Sequence, residues 1–145
     1  MAIDFATFMT VAPHVLDSRF PVLVRGKHGV GKSQVVYQIA ESRGLPVIER
    51  RASQMTEGDL LGLPDTADTQ INGRKATTWN APDWLVTACE QPVLLFLDEV
   101  DRATLEVRQG LFELTDSRKL NGWYLHAETL IVAAVNGGEH GAQYQ

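Results

Sequence analysis

The chain has a single cysteine, Cys89, among its 145 residues, so no disulfide can close within it. A lone thiol suits a reducing, cytoplasmic setting. Long hydrophobic runs are missing as well: no apolar stretch approaches the roughly 20 residues that a membrane-spanning helix needs. Basic charge is in short supply. Thirteen Lys and Arg face 18 Asp and Glu, for a formal net charge of −5. That balance gives no global attraction to nucleic acid or to a membrane surface, and only a local patch could supply one. Met1 to Leu16 carries Asp4 and no basic cluster, so it does not read as a signal peptide. No repeat and no low-complexity segment is seen. The histidines at 14, 28, 126 and 140 are scattered without metal-ligand spacing. There is no G-x-S-x-G elbow, and no Cys/His pair is placed for nucleophilic attack. What remains is an ordinary globular composition, 44% apolar and 21% charged. Its length suits one domain, residues 1–145, with a core of its own.

Glycine is concentrated where it is informative. "VLVRGKHGVGKSQVVYQIAESRG" runs from Val22 to Gly44. Pro21 to Val24 reads as a buried strand. Lys32 to Arg43 reads as a helix with Val35, Val36, Ile39 and Ala40 on one face and Gly44 as its stop. Between them, Gly26, Lys27, His28, Gly29, Val30, Gly31, Lys32 and Ser33 fit G-x-x-x-x-G-K-[ST], the phosphate-binding P-loop. Backbone N–H groups of such a loop converge with the positive end of the helix dipole to form an anion site. Lys32 would meet the β- and γ-phosphates of a bound nucleotide, and the Ser33 hydroxyl would ligate Mg²⁺. The plain alternative is a Gly-rich turn joining a strand to a helix. His28 departs from the small residues common near that point; it either touches nucleotide or faces solvent or a neighbour.

The rest of the chain alternates strand and helix. Phe5, Phe8, Ala12, Val15 and Leu16 form a helical stripe broken by Pro13. Leu45 to Arg51 reads as a strand. Thr56 and Asp59 suggest a capping box that opens a short helix ending near Gly62 and Pro64. Asp65 to Thr78 is polar and holds Asn72-Gly73, a hairpin signal. Pro82 to Glu90 reads as a helix with proline at its first position. Val93 to Leu97 is apolar throughout, as in a strand covered on both faces. A helix from Thr104 to Thr115 would bury Val107, Leu111 and Leu114. Asn121-Gly122 makes a turn, and Thr129 to Asn136 is another buried strand. This alternation predicts an α/β fold with a parallel sheet. In such sheets ligands sit at the carboxyl ends of the strands, where the P-loop, Asp98-Glu99 and Asn136 all fall.

Asp98 and Glu99 end the first of the two buried strands. Alone, the pair could cap the following helix. With a P-loop upstream, Asp98 suits the Mg²⁺ shell and Glu99 is placed to orient and deprotonate a water. Asn136 could hold that water or the γ-phosphate, or it could simply end its strand.

Together these stretches resemble the AAA+ ATPases, and among them the MoxR-type group. "GKHGVGKS" matches Walker A, "LLFLDEVDRA" matches Walker B, and "IVAAVN" matches the sensor-1 strand. "EGDLLGLPD" looks like the group's second-helix region, with an insertion from Asp65 to Trp79. The resemblance covers about Phe20 to Tyr144 and rests on the motifs in combination. It implies a three-layer P-loop sandwich with a mostly parallel sheet, here an incomplete AAA+ core. It also implies ATP and Mg²⁺ as cofactors, with Asp98 serving the metal, Glu99 the water and Asn136 the sensor. Arg102 matches a position near a subunit boundary, or is a surface salt-bridge residue. Ring assembly, as a hexamer, and a protein substrate with a von Willebrand A-type partner also follow from the resemblance. Two features depart from the pattern. Gly137 stands where proline is common, and the arginine finger, a last strand and the helical lid would all follow Gln145. The chain is therefore expected to bind nucleotide but turn it over poorly alone, with its P-loop strand at a sheet edge.

Other features read more plainly. Arg50-Arg51 and Arg118-Lys119 suit solvated surface, and Trp79, Trp84 and Trp123 suit packing. A nucleotide-binding switch with little hydrolysis is one rival reading. A P-loop kinase is another, disfavoured by a water-activating Glu99 beside Asp98.

Overall fold

The computed structural model describes residues 14–18, 20–26, 31–64, 70–71, 73–75 and 79–135. In chain order they form β1 (Val22–Arg25), α1 (Lys32–Ser42), β2 (Val47–Arg51), α2 (Glu57–Leu61) and β3 (Leu63–Pro64). Next come β4 (Gln70–Ile71), β5 (Arg74–Lys75), β6 (Trp79–Asn80), α3 (Asp83–Glu90) and β7 (Leu94–Asp98). The last are α4 (Leu105–Ser117), β8 (Lys119–Leu120), β9 (Trp123–Tyr124) and β10 (Leu130–Val135). Single 3₁₀ turns span Ala52–Gln54 and Val100–Arg102. Residues 14–17 are helical; Phe5, Phe8, Ala12 and Pro13 of the expected stripe lie outside the described residues.

Four strands pair in the order β1-β10-β7-β2, and every pairing is parallel. The two apolar runs become the two central strands, β7 and β10. Side chains alternate across a strand, so each run feeds two cores. Leu94, Phe96, Leu130, Val132 and Ala134 pack with Val35, Val36, Ile39 and Ala40 of α1. Leu95, Leu97, Ile131 and Ala133 pack on the other face with α3 and α4, through Leu85, Ala88, Val107, Leu111 and Leu114. The result is the expected three-layer α/β sandwich. Each fully buried Leu, Val or Phe here contributes about 1.5–3 kcal/mol relative to exposure.

Local chemistry sets the element ends. The Thr56 hydroxyl accepts from Asp59 N–H while the Asp59 carboxylate accepts from Thr56 N–H, the reciprocal capping box expected for α2. Thr104 caps α4 by accepting from Val107 N–H. Pro82 stands one position earlier than expected: its backbone is extended, and it is the N-cap of α3 rather than the first helical residue. At Gly62 the backbone runs at φ +88, and a Cβ there would overlap the carbonyl oxygen of Asn80, so only glycine admits the β3–β6 pairing. That pairing lies outside a second one, β4 with β5, around Gly73, which meets the hairpin expectation for this region. Asn121 and Gly122 both have positive φ, as a two-residue turn between β8 and β9 requires.

Candidate functional site

Because all four strands point the same way, the carboxyl ends of β1, β10 and β7 lie along one rim of the sheet. The chain leaves β1 for α1 on one face, and leaves β7 for α4 on the other. Helices that diverge in this way open a crevice at the strand ends. The backbone closes the rim where Gly26 N–H donates to Val135 O at 3.2 Å.

Lys32 starts α1 directly over that closure. Its Nζ donates to Gly26 O at 2.9 Å and to Val135 O at 3.4 Å. The ammonium thus sits between the ends of β1 and β10. Gly31, the residue before it, is the helix N-cap at φ 83, a left-handed conformation that disfavours a side chain. Gly31 has no side chain with which to cap α1, and the first turn of a helix is where backbone N–H groups can meet an anion. Ser33, half-buried, occupies the first helical turn.

Asp98 ends β7 and is only 6% exposed. One carboxylate oxygen accepts from Glu99 N–H at 2.8 Å. The other has no hydrogen-bond partner, and no cation pairs with the group, among the described residues. Glu99 then bends the chain. Its backbone is left-handed at φ 54, ψ 38, a conformation that costs a non-glycine residue about 1–3 kcal/mol and tends to persist at functional sites. Its side chain, 18% exposed, is gripped from the end of β2. Ser53 Oγ donates to Glu99 Oε1 at 2.6 Å, and Arg51 Nε lies 3.4 Å from Oε2.

The structure therefore brings Gly26, Gly31, Lys32, Ser33, Asp98 and Glu99 to one end of one sheet. Lys27, His28, Gly29, Val30 and Asn136 lie outside the described residues. Arg51 is exposed, as expected of the Arg50-Arg51 pair, and its guanidinium also reaches the candidate base. Arg118 is likewise committed internally, donating to His126 O and Thr129 O at 2.9 and 2.7 Å. Arg102 is exposed, with no side-chain partner among the described residues. Trp84 packs as expected and donates to Asp59 O, and Trp123 packs against the core, whereas Trp79 is 48% exposed on β6. Sequence reasoning missed Ser53 and Arg51 as functional residues. The only signal for them was their place at the end of the strand that neighbours β7.

The donor set fits magnesium. Ser33 offers a hydroxyl and Asp98 a buried carboxylate with an unengaged oxygen, both hard ligands of the kind Mg²⁺ takes.

A family model, "AAA domain (dynein-related subfamily)", matches residues 21–143. Midasin of Giardia intestinalis is 35% identical over 100 residues, which cover 68% of this chain and 2% of midasin. Protein CbbQ of Hydrogenophilus thermoluteolus is 30% identical over 104 residues, 71% of this chain and 36% of CbbQ. Among solved structures, a putative ATPase from Cytophaga hutchinsonii superposes with a TM-score of 0.61 at 16% identity, over 93% of this chain and 39% of that one. The Thermotoga maritima RuvB Holliday junction branch migration motor gives 0.56 at 17% identity, over 91% and 38%. The chain thus spans well under half the length of these relatives. No helix among the described residues is long and apolar enough to cross a membrane. The P-loop fold, the rim it places and the match over residues 21–143 agree: the chain belongs to the AAA domain family, and within the AAA+ ATPases to the MoxR-type group.

Proposed function

We propose that the chain binds Mg-ATP at the Gly26–Ser33 loop and hydrolyses it, and that in the complete protein turnover drives remodelling or assembly of a partner protein. One observation carries the reading: Lys32, Asp98 and Glu99 stand on the same sheet rim, and Glu99 holds a strained conformation that presents its carboxylate there. Lys32 would exchange its two carbonyl partners for phosphate oxygens. The water oxygen attacks the γ-phosphorus, the bond to ADP breaks, and Glu99 accepts the proton of the water. Ser33 and Asp98 would hold the magnesium ion, which when bound neutralises charge on the phosphates. Asn136 is assigned to sensing the γ-phosphate through its place in the motif.

A second reading has an observation in its favour. With Ser53 on one oxygen of Glu99 and Arg51 at the other, each carboxylate oxygen already has a protein partner. That supports a nucleotide-binding switch whose intrinsic hydrolysis is low until Glu99 is released. Ring assembly as a hexamer, a von Willebrand A-type partner and a cytoplasmic setting complete the proposal, on the strength of the family and of the lone Cys89.

Lys32→Ala tests the assignment. Calorimetry on the parent should show magnesium-dependent ATP binding, and the variant should lose it while keeping the parent's circular dichroism. Equal affinity in both would remove Lys32 from the site.

A further inference from the structure

We infer that Lys32 is a self-inhibitory latch: its ammonium pins the end of β10 to the end of β1, and a β-phosphate must draw it off both, which frees a lone pair of the carbonyl one residue before Asn136. The release rests on the nucleotide site proposed above. The pinning stands without it.

The latch closes the seam between β1 and β10. Their register runs from Val22 opposite Val132 to Arg25 opposite Val135. Just past the end of β1, Gly26 N–H donates to Val135 O at 3.2 Å. Lys32 Nζ brings a second donor to that same carbonyl at 3.4 Å, and holds Gly26 O more closely at 2.9 Å. One ammonium therefore grips a carbonyl at each strand end. A carbonyl oxygen has two lone pairs, so these two donors fill Val135 O. Both of its bonds lie at or past the long end of the usual range, about 2.7–3.2 Å. The hold on β10 is thus the weaker half of the grip. Among the described residues β1 pairs with no strand but β10, so the seam takes up any change in that hold.

The same ammonium is suited to leave. Lys32 is half-buried, yet among the described residues no carboxylate lies within salt-bridge reach of it. Asp98, on the same rim, takes Glu99 N–H instead. The positive charge is held by neutral oxygens alone. A phosphate oxygen offers the same lone pairs with a negative charge, so it outcompetes a carbonyl for the ammonium. The flexible four-carbon stem lets the head swing while α1 stays in place. Two bonds break before the phosphate gains its own, and in that sense the contact restrains binding. Once they break, Val135 O keeps only Gly26 N–H, and the chain entering Asn136 is less tightly held.

The probe is magnesium-ADP, with AMP as the control that lacks a β-phosphate, added to the isotope-labelled chain. Before any ligand is added, Lys32→Met keeps the apolar stem and deletes the ammonium. We expect it to shift the Val135 carbonyl ¹³C resonance and to speed exchange of the Gly26 amide about two- to tenfold, the scale of one lost hydrogen bond. The Leu95 carbonyl, inside the sheet, should stay in place, and equal melting excludes a folding effect. Magnesium-ADP should move the parent's Val135 resonance toward its position in the variant, and AMP should not. The parent's contrast between the two ligands needs no variant. No shift at Val135, or unchanged Gly26 exchange, in Lys32→Met would overturn the pinning. Magnesium-ADP that binds in calorimetry and leaves Val135 unmoved, or AMP that moves it as far, would overturn the release. Magnesium-ADP that fails to bind would overturn the nucleotide site itself and the release with it, while the ligand-free comparison still decides the pinning.

Discussion

The two edges of the sheet are built differently. β2 carries Glu49, Arg50 and Arg51, and each is tied to a residue off the strand: Tyr37, Asp83 and Glu99. Charge on an edge deters pairing with another chain. β1 is Val22, Leu23 and Val24 before it reaches Arg25. Leu23 is 57% exposed, Phe20 beside it is exposed, and an apolar groove of about 350 Å³ runs between β1 and the Phe112 flank of α4. Both strands edge the described four-stranded sheet, yet β2 is guarded by three charged residues and β1 carries one. The guarded edge is the one whose charges also reach the reaction rim. Arg51 therefore serves both edge protection and the placement of Glu99, whereas β1 contributes its carboxyl end to the candidate site and leaves Leu23 exposed.

The sharpest break of this contrast removes what the β2 edge holds. In an assembly that turns over ATP, Glu99→Gln should slow phosphate release about 10²–10⁴-fold while binding survives. In that background, changes at Ser53 or Arg51 should have no further effect on rate. A residual effect would detach the β2 edge from the chemistry. Next in size, Ser53→Ala removes the 2.6 Å bond to Glu99 and should alter turnover by about tenfold, read as kcat with KM for ATP unchanged. An altered KM with constant kcat would make Ser53 a binding residue instead. At the opposite edge, Leu23→Lys should cut light scattering by the purified chain several-fold while shifting stability by no more than about 0.5 kcal/mol. Scattering as strong as the parent's would show that β1 is not the adhesive edge. The smallest effect belongs to Tyr37→Phe, which deletes the surface bond to Glu49. It should cost a few tenths of a kcal/mol, about 0.5 at most, in urea melts. The Tyr37 hydroxyl is held above its usual pKa by that bond to Glu49, then by partial burial and the nearby charge. A folded pKa raised in this way adds stability below the unfolded value and loses it as pH rises through the folded one. The difference between parent and variant should therefore shrink in strong alkali.

Much of this was legible because it is local. The buried runs of β7 and β10 announce strands covered on both faces. The P-loop spacing fixes Lys32 and Ser33, and the Thr56–Asp59 box marks the start of α2 to the residue. The rest depends on contacts far apart in the chain. β3 and β6 are two residues each and carry no period, so nothing in sequence predicts their pairing. The grip of Arg51 on Glu99 arises because Arg51 lies level with Asp98 across the β2–β7 register. An Arg-Arg pair read alone cannot reveal that. Trp79 looked like packing because tryptophan usually is, yet its two-residue strand leaves one side to solvent.

The closure of the rim also sets a timetable. Lys32 finds Val135 across a separation of 103 residues, and among the described residues β1 joins the sheet only through β10. Parallel pairing over such a span carries a large loop-closure entropy and belongs to the slow, high-contact-order class of folding events. While the chain is being synthesised, β2 and β7 can pair long before β10 has left the ribosome, but β1 has no strand to join. The joining of β1 to β10, on which the proposed phosphate site rests, is thus expected among the last steps of folding. If the rim binds nucleotide as proposed, that affinity would report completed folding, and a nascent chain stalled before Val135 should carry every residue of the P-loop and still ignore ATP.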